Sequence, residues 1–237
     1  MIVALASLAG VALFLWPYLG LGPFPAAPAL AVAGGTVVLL AAIEAAARRL
    51  DTRLLALLAA LAAVDAALRL VLVTGIGGFS PIFFLILCAG FVFGPTFGFL
   101  TGATALLVSA LATGGVGPWL PYQMFGAGWV GMFAGLVGLR WHSLPALAVA
   151  GLLSGFAFGL VLDLWDWSYL RGAPGAGFTP GLPPATVIAA FGRFYLVTSA
   201  LYDAFRAFGN VLMVLLLGPP VLAAMQRLKA RFTLVVE

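Results

Sequence analysis

The sequence predicts an all-α integral membrane protein of eight spans, and three observations predict it. The chain is 64% hydrophobic and only 8% charged over 237 residues, whereas a soluble domain carries roughly a quarter charged residues. Its apolar residues fall into blocks close to the length of about 20 that a bilayer crossing needs. Its arginines and lysines lie between those blocks, so the net charge of +4 reads as membrane topology rather than as affinity for nucleic acid. No polar stretch is long enough to fold alone.

The candidate spans are 2–20, 27–47, 54–73, 81–93, 97–112, 122–139, 144–164 and 194–217. The first has no basic start and no convincing small-x-small cleavage site before Pro23, which favours a retained helix over a signal peptide. The fourth and fifth are short and joined by Gly94-Pro95-Thr96. Pro95 removes a helical hydrogen bond and clashes with the preceding turn, which predicts two tilted helices and a tight turn; one kinked segment is the alternative.

Basic residues orient these spans. Arg48, Arg49 and Arg53 form one cluster, Arg140 a second, and Arg227, Lys229 and Arg231 a third. Eight alternating crossings put all three clusters on one side, which the positive-inside rule makes the cytoplasm, with both termini there as well. Arg171 then falls in an external loop and Arg193 near the outer surface. A single missed span would split the clusters between sides. The longest loop, 165–187, opens with Trp165-Asp166-Trp167-Ser168-Tyr169 and continues through glycines and prolines. It reads either as an aromatic anchor at the interface or as a lid over an outward-facing pocket.

Small residues recur every fourth position in three places: Gly90, Gly94, Gly98 and Gly102; Gly151, Gly155 and Gly159; and Ala59, Ala63 and Ala67, with Ala56 and Ala60 on a neighbouring face. Such rows let helix backbones approach closely in lipid. The glycine rows are expected to pack internally; the alanine row packs, faces lipid or meets a partner. Ionisable residues inside spans are costly, about 2.5–3.5 kcal/mol each on insertion scales. Asp65 and Arg69 are four apart on one helix and are expected to pair, as are Asp203 and Arg206, with Asn210 on the same stripe and Asp163 ending the seventh span. Either these groups only hold helices together, or with Trp119, Tyr122, Tyr195 and Tyr202 they line a polar cavity open to the outside. The single cysteine, Cys88, excludes an intrachain disulfide, and the single histidine, His142, leaves little for metal or acid–base chemistry. No enzyme activity, catalytic set, metal site or bound cofactor is expected.

From 54 to 232 an ordered series carries a resemblance. It runs from Ala66-Ala67-Leu68-Arg69-Leu70 through Ala89-Gly90-Phe91-Val92-Phe93-Gly94-Pro95-Thr96-Phe97-Gly98-Phe99 to Thr101-Gly102-Ala103 and Ser109. Gly117-Pro118-Trp119-Leu120-Pro121-Tyr122-Gln123-Met124 and Gly128-Trp129-Val130-Gly131-Met132-Phe133-Ala134-Gly135 complete it. The series resembles the substrate-binding S components of energy-coupling factor (ECF) transporters. The resemblance implies a six-helix core, 51–237, preceded by an extension, 1–50, whose two helices have no family role. It further implies a bacterial or archaeal plasma-membrane protein with both ends cytoplasmic, binding a vitamin or related micronutrient from outside. The partners implied are a transmembrane T component and two ATP-binding subunits. ATP hydrolysis would be theirs, because this chain has no G-x-x-x-x-G-K-[ST] loop.

The family's docking surface maps to Ala59 and Ala63, with Ala56 and Ala60 an equally spaced alternative. The segment from Phe194-Tyr195 through Ser199, Asp203 and Arg206 to Gly209-Asn210-Val211 resembles members associated with cobalamin uptake, which makes cobalamin the first choice of substrate. The substrate-binding residues expected are Asp65, Arg69, Trp119, Tyr122, Gln123, Trp165, Trp167, Tyr195, Tyr202, Asp203, Arg206 and Asn210. The competing reading is a self-sufficient secondary transporter or channel, which broken helices and a repeat between halves would favour; no such repeat is evident.

Overall fold

The computed structural model describes residues 2–47, 50–71, 81–168 and 177–233. Among the described residues there are nine α-helices and no strand. The chain is a multi-pass α-helical membrane protein. Five helices are long and apolar enough to cross a bilayer: α1 (Ile2–Leu15, extended by a single 3-10 turn, Trp16–Leu19), α2 (Ala26–Ala46), α5 (Pro95–Thr113), α7 (Leu144–Trp167) and α9 (Ala200–Thr233). Two more, α3 (Thr52–Val71) and α6 (Leu120–Arg140), have 20 and 21 residues, but charges dilute the first and glycines the second. The shorter apolar helices are α4 (Ile82–Phe93) and α8 (Pro184–Thr198).

The predicted turn between the fourth and fifth spans is present. Gly94 adopts φ 99°, a conformation open to glycine at no steric cost, and Pro95 starts α5 at the position where a missing amide does no harm. The α4–α5 hairpin then wraps α6 through bare backbone. A side chain at Gly90 or Gly98 would strike the carbonyl of Gly131, one at Gly102 that of Ala127, and one at Gly138 that of Phe91. Internal packing is thus the use of this glycine row.

These contacts fix the running directions. Gly98 meets Gly131 while Gly102 meets Ala127, so α5 and α6 are antiparallel. Tyr122 stacks on Trp165 at 5.3 Å, so α7 returns to the starting end of α6. Ser199 bonds Asp163, Asn210 bonds Gly151, and Lys229 reaches the carbonyl of Val92, so α9 runs back again. One end of the bundle therefore gathers Arg140, Arg227, Lys229 and Arg231. Arg69 reaches Ser109, in the half of α5 remote from Pro95, which sets Arg53 toward the same basic end. Trp119, Asp163, Trp165, Asp166 and Trp167 mark the other end. Described members of all three basic clusters thus share one end, as the span count requires; Arg48, Arg49, Tyr169 and Arg171 lie outside the described residues.

The first two helices pack on the core. Ser7 lies against the sulfur of Met132, Gly10 fits under Phe125 and Trp129, and Phe14 meets Tyr122 edge-on at 5.0 Å. The Tyr18 hydroxyl donates to the carbonyl of Leu164, which ties α1 to the end of α7.

Three expectations change. The seventh span continues as helix to Trp167, so Trp165-Asp166-Trp167 is its last turn and not the start of a loop. The last span, expected at 194–217, is divided: α8 ends at Thr198, and α9 begins at Ala200 and runs 34 residues. The break falls at Ser199, whose hydroxyl is taken by Asp163 at 2.7 Å. Helix α9 also continues past the expected end at 217, through Pro219 and Pro220. Its 34 residues span about 50 Å at 1.5 Å per residue, more than a bilayer core of about 30 Å, so its basic end projects beyond the hydrocarbon.

Candidate functional site

At the aromatic end, residues of α6 and α7 with Trp119 just ahead of α6 line a cavity of about 240 Å3: Trp119, Gln123, Leu162, Trp165 and Asp166. Local chemistry builds each wall. The Trp119 indole folds back over Gly117, where any side chain would collide with its ring, and its Nε1 donates to the carbonyl of Gly115 at 3.2 Å. Gln123 follows one turn later on the same face of α6. Leu162, Trp165 and Asp166 share one face of α7 through spacings of three and four. Tyr122 backs this wall rather than lining it: it is buried between Phe14 and Trp165. Two indoles, an amide and a carboxylate can stack on a planar ring and bond its polar edge.

A second polar group lies between α7 and α9. Asn210 donates to the carbonyl of Gly151 at 3.0 Å, and Arg206 to that of Gly155 at 3.2 Å. Asp203 fills the space beside Gly159, and Ser199 bonds Asp163. The three glycines of α7 and the three polar positions of α9, with Ser199 just ahead of them, thus mesh as an antiparallel ladder. At Gly151 and Gly155 the helices lie close enough for an α9 side chain to bond the main chain, and such interhelical bonds average about 0.6 kcal/mol in membranes. Arg206 and Asp203 form the expected ion pair. The guanidinium also lies over the Phe158 ring at 5.2 Å and the Phe83 ring at 6.0 Å. The Tyr195 hydroxyl approaches Asp203 from α8.

The third group departs from expectation. Asp65 and Arg69 do not pair. Arg69 crosses to α5 and donates to Ser109 at 3.3 Å, while Asp65 is fully buried and neither carboxylate oxygen has a partner among the described residues. The i,i+4 spacing puts both groups on one face, but the long arginine extends to a hydroxyl on the next helix, and the short aspartate stays at the packed interface.

The expected site residues therefore fall into separate sets. Trp119, Gln123 and Trp165 meet in the cavity, with Tyr122 behind them. Asp203, Arg206 and Asn210 form the ladder with Tyr195 at its edge. Trp167 is buried in an aromatic cluster with Tyr18, Phe178 and Phe191 that holds α8 against α7. Tyr202 is 54% exposed on the flank of α9, away from the cavity. Asp166 and Leu162 were missed; extending the seventh span by one turn places them on the face of Trp165.

The alanine positions of α3 face outward: Ala56, Ala59, Ala60, Ala63 and Ala67 are all exposed. Among the described residues no group of histidine, cysteine and carboxylate side chains could hold a metal. No protein-family model matches the chain, and no curated protein and no solved structure is similar to it.

Proposed function

We propose that this chain is the substrate-binding S component of an ECF-type importer, taking a micronutrient from outside and docking on a T component that carries two ATP-binding subunits. The observation that carries the reading is the contrast between its small-residue rows. The glycine rows are consumed by internal packing, whereas the alanines of α3 are exposed on the helix that the resemblance makes the docking surface. A row of small side chains turned outward suits the close approach of a partner helix within lipid.

The basic end is then cytoplasmic, by the positive-inside rule, with the start of α1 and the end of α9 on that side. The aromatic end faces outward in a bacterial or archaeal plasma membrane, and the Trp119–Trp165 cavity receives the ligand. Cobalamin is the substrate suggested by the residues of α8 and α9. A cavity of about 240 Å3 is smaller than a corrin with its nucleotide arm and favours a vitamin of one or two rings.

Ala59→Trp and Ala63→Trp test the reading. Each is expected to abolish co-purification with the T component while vitamin binding persists. Assembly that survives both changes and Ala60→Trp would sink it.

A further inference from the structure

The mouth cavity holds a charge without a counter-charge. Of the residues that line it, Asp166 is the only ionisable one. Its carboxylate is exposed and has no hydrogen-bond or ion-pair partner among the described residues. The arginines described at this end are engaged elsewhere: Arg69 by Ser109, Arg193 by the carbonyl of Ala189, and Arg206 by Asp203. The side-chain amide of Gln123, half-buried, likewise makes no hydrogen bond among the described residues.

The two indoles are held from behind. Trp165 has one face against Tyr122 at 5.3 Å, and Trp119 lies over Gly117 with its nitrogen tied to the carbonyl of Gly115. Each is thus backed by protein on one side and still lines the cavity. The face of an indole is negative and attracts a cation, more strongly as water is excluded. A ligand that fills the cavity also strips water from Asp166. A neutral ring leaves that carboxylate poorer in hydrogen bonds, and an anion adds repulsion. A cation replaces by attraction what the lost water supplied.

Resting on the proposed function, we infer that the substrate is a cation: a planar heteroaromatic of one or two rings, its positive charge held by the faces of Trp119 and Trp165 and by Asp166. The charge is that of a quaternised or protonated ring nitrogen, which keeps the ligand flat. Gln123 meets a polar group on the ring edge, donating from its amide nitrogen or accepting at its carbonyl. The mouth turns away anionic vitamins and their phosphate esters.

Full-length protein in phosphatidylcholine nanodiscs, whose surface carries no net charge, tests this with probes of one shape. They are the cation 1-methylnicotinamide, its neutral carbon counterpart 3-methylbenzamide and the anion 3-carbamoylbenzoate, titrated by saturation-transfer NMR. The cation is expected to bind at least about tenfold more tightly than the neutral probe, and the anion not to saturate. Asp166→Asn removes the charge at similar volume from an exposed position. It is expected to keep the wild-type melting temperature and to cut the preference for the cation at least about fivefold. Trp119→Leu is expected to weaken the cation more than the neutral probe. If that variant melts early, Trp119→Phe, with its weaker ring face, makes the same comparison. Equal affinity for cation and neutral probe, still dependent on Trp119, would overturn the charge preference and leave the S-component reading standing. Tighter binding of the anion would show that a positive group governs the mouth, and overturns the inference. A cation preference unchanged in both Asp166→Asn and Trp119→Leu would place the cation elsewhere, with the same result. No saturable binding of any probe would remove the mouth as a site for such rings, while docking on the T component would still decide the proposed function.

Discussion

Asp203 of α9 stands where a side chain at Gly159 of α7 would have to go. The carboxylate is held there by Arg206, itself bonded to the carbonyl of Gly155, so it has no room to withdraw. Gly159→Ala is therefore expected to lower stability by about 1–3 kcal/mol, the usual cost of overpacking. Thermal melting in detergent measures it, and a wild-type melting temperature would refute the α7–α9 contact.

The Asp203–Arg206 pair predicts an asymmetry between single and double changes. Arg206→Ala strands a buried carboxylate and is expected to cost about 3–5 kcal/mol. Asp203→Asn with Arg206→Gln removes both charges at similar volume and is expected to recover most of that loss. A double variant no more stable than Arg206→Ala would show that the pair is not what holds these helices.

For Asp65 the expected sign is opposite. With no partner among the described residues, its charge is a burden on the fold, and Asp65→Asn is expected to leave the melting temperature unchanged or raise it. A loss of about 3 kcal/mol or more, the signature of a broken buried pair, would count against this arrangement.

Glycines separate by what surrounds them. Gly131→Ala drives a methyl into the backbone of Gly98, which cannot swing aside as a side chain can, and is expected to prevent assembly of α5 with α6. Gly35→Ala in α2 meets nothing within 4 Å and is expected to be neutral or to stabilise by up to about 1 kcal/mol through helix propensity. Expression and monodispersity in detergent distinguish the two.

Binding should divide the tyrosines from the tryptophans. Trp119→Ala or Trp165→Ala is expected to weaken ligand at least about tenfold, equivalent to ~1.4 kcal/mol. Tyr202→Ala, on the outer flank of α9, is expected to bind like wild type. Equal losses at all three positions would place the ligand somewhere other than the α6–α7 mouth.

Helix existence was legible because each block of apolar residues must satisfy its own backbone in lipid, and only a helix does so within one segment. The Gly94-Pro95 turn was legible from local sterics, and the internal role of the glycine rows from spacing. Partner choice was not. Which group Arg69 would choose depended on Ser109, 40 residues away. The division at Ser199 depended on Asp163, a contact between helices that no local pattern encodes. The extra turn at Trp165-Asp166-Trp167 was hidden because aromatic and acidic residues at a membrane surface fit a helix end and a loop equally well. Misplacing that turn concealed Asp166, and with it one wall of the cavity.

The Tyr18–Leu164 hydrogen bond joins residues 146 positions apart. During synthesis the α1–α2 hairpin leaves the translocon long before α6 and α7 exist, and must wait in the bilayer as an autonomous pair. Gly10 and Phe14 then engage α6 as it arrives, and Tyr18 closes the latch only when the seventh helix has followed. A chain severed between Ala47 and Thr52 retains every one of these contacts, so its two pieces, produced separately in one membrane, should find each other and assemble.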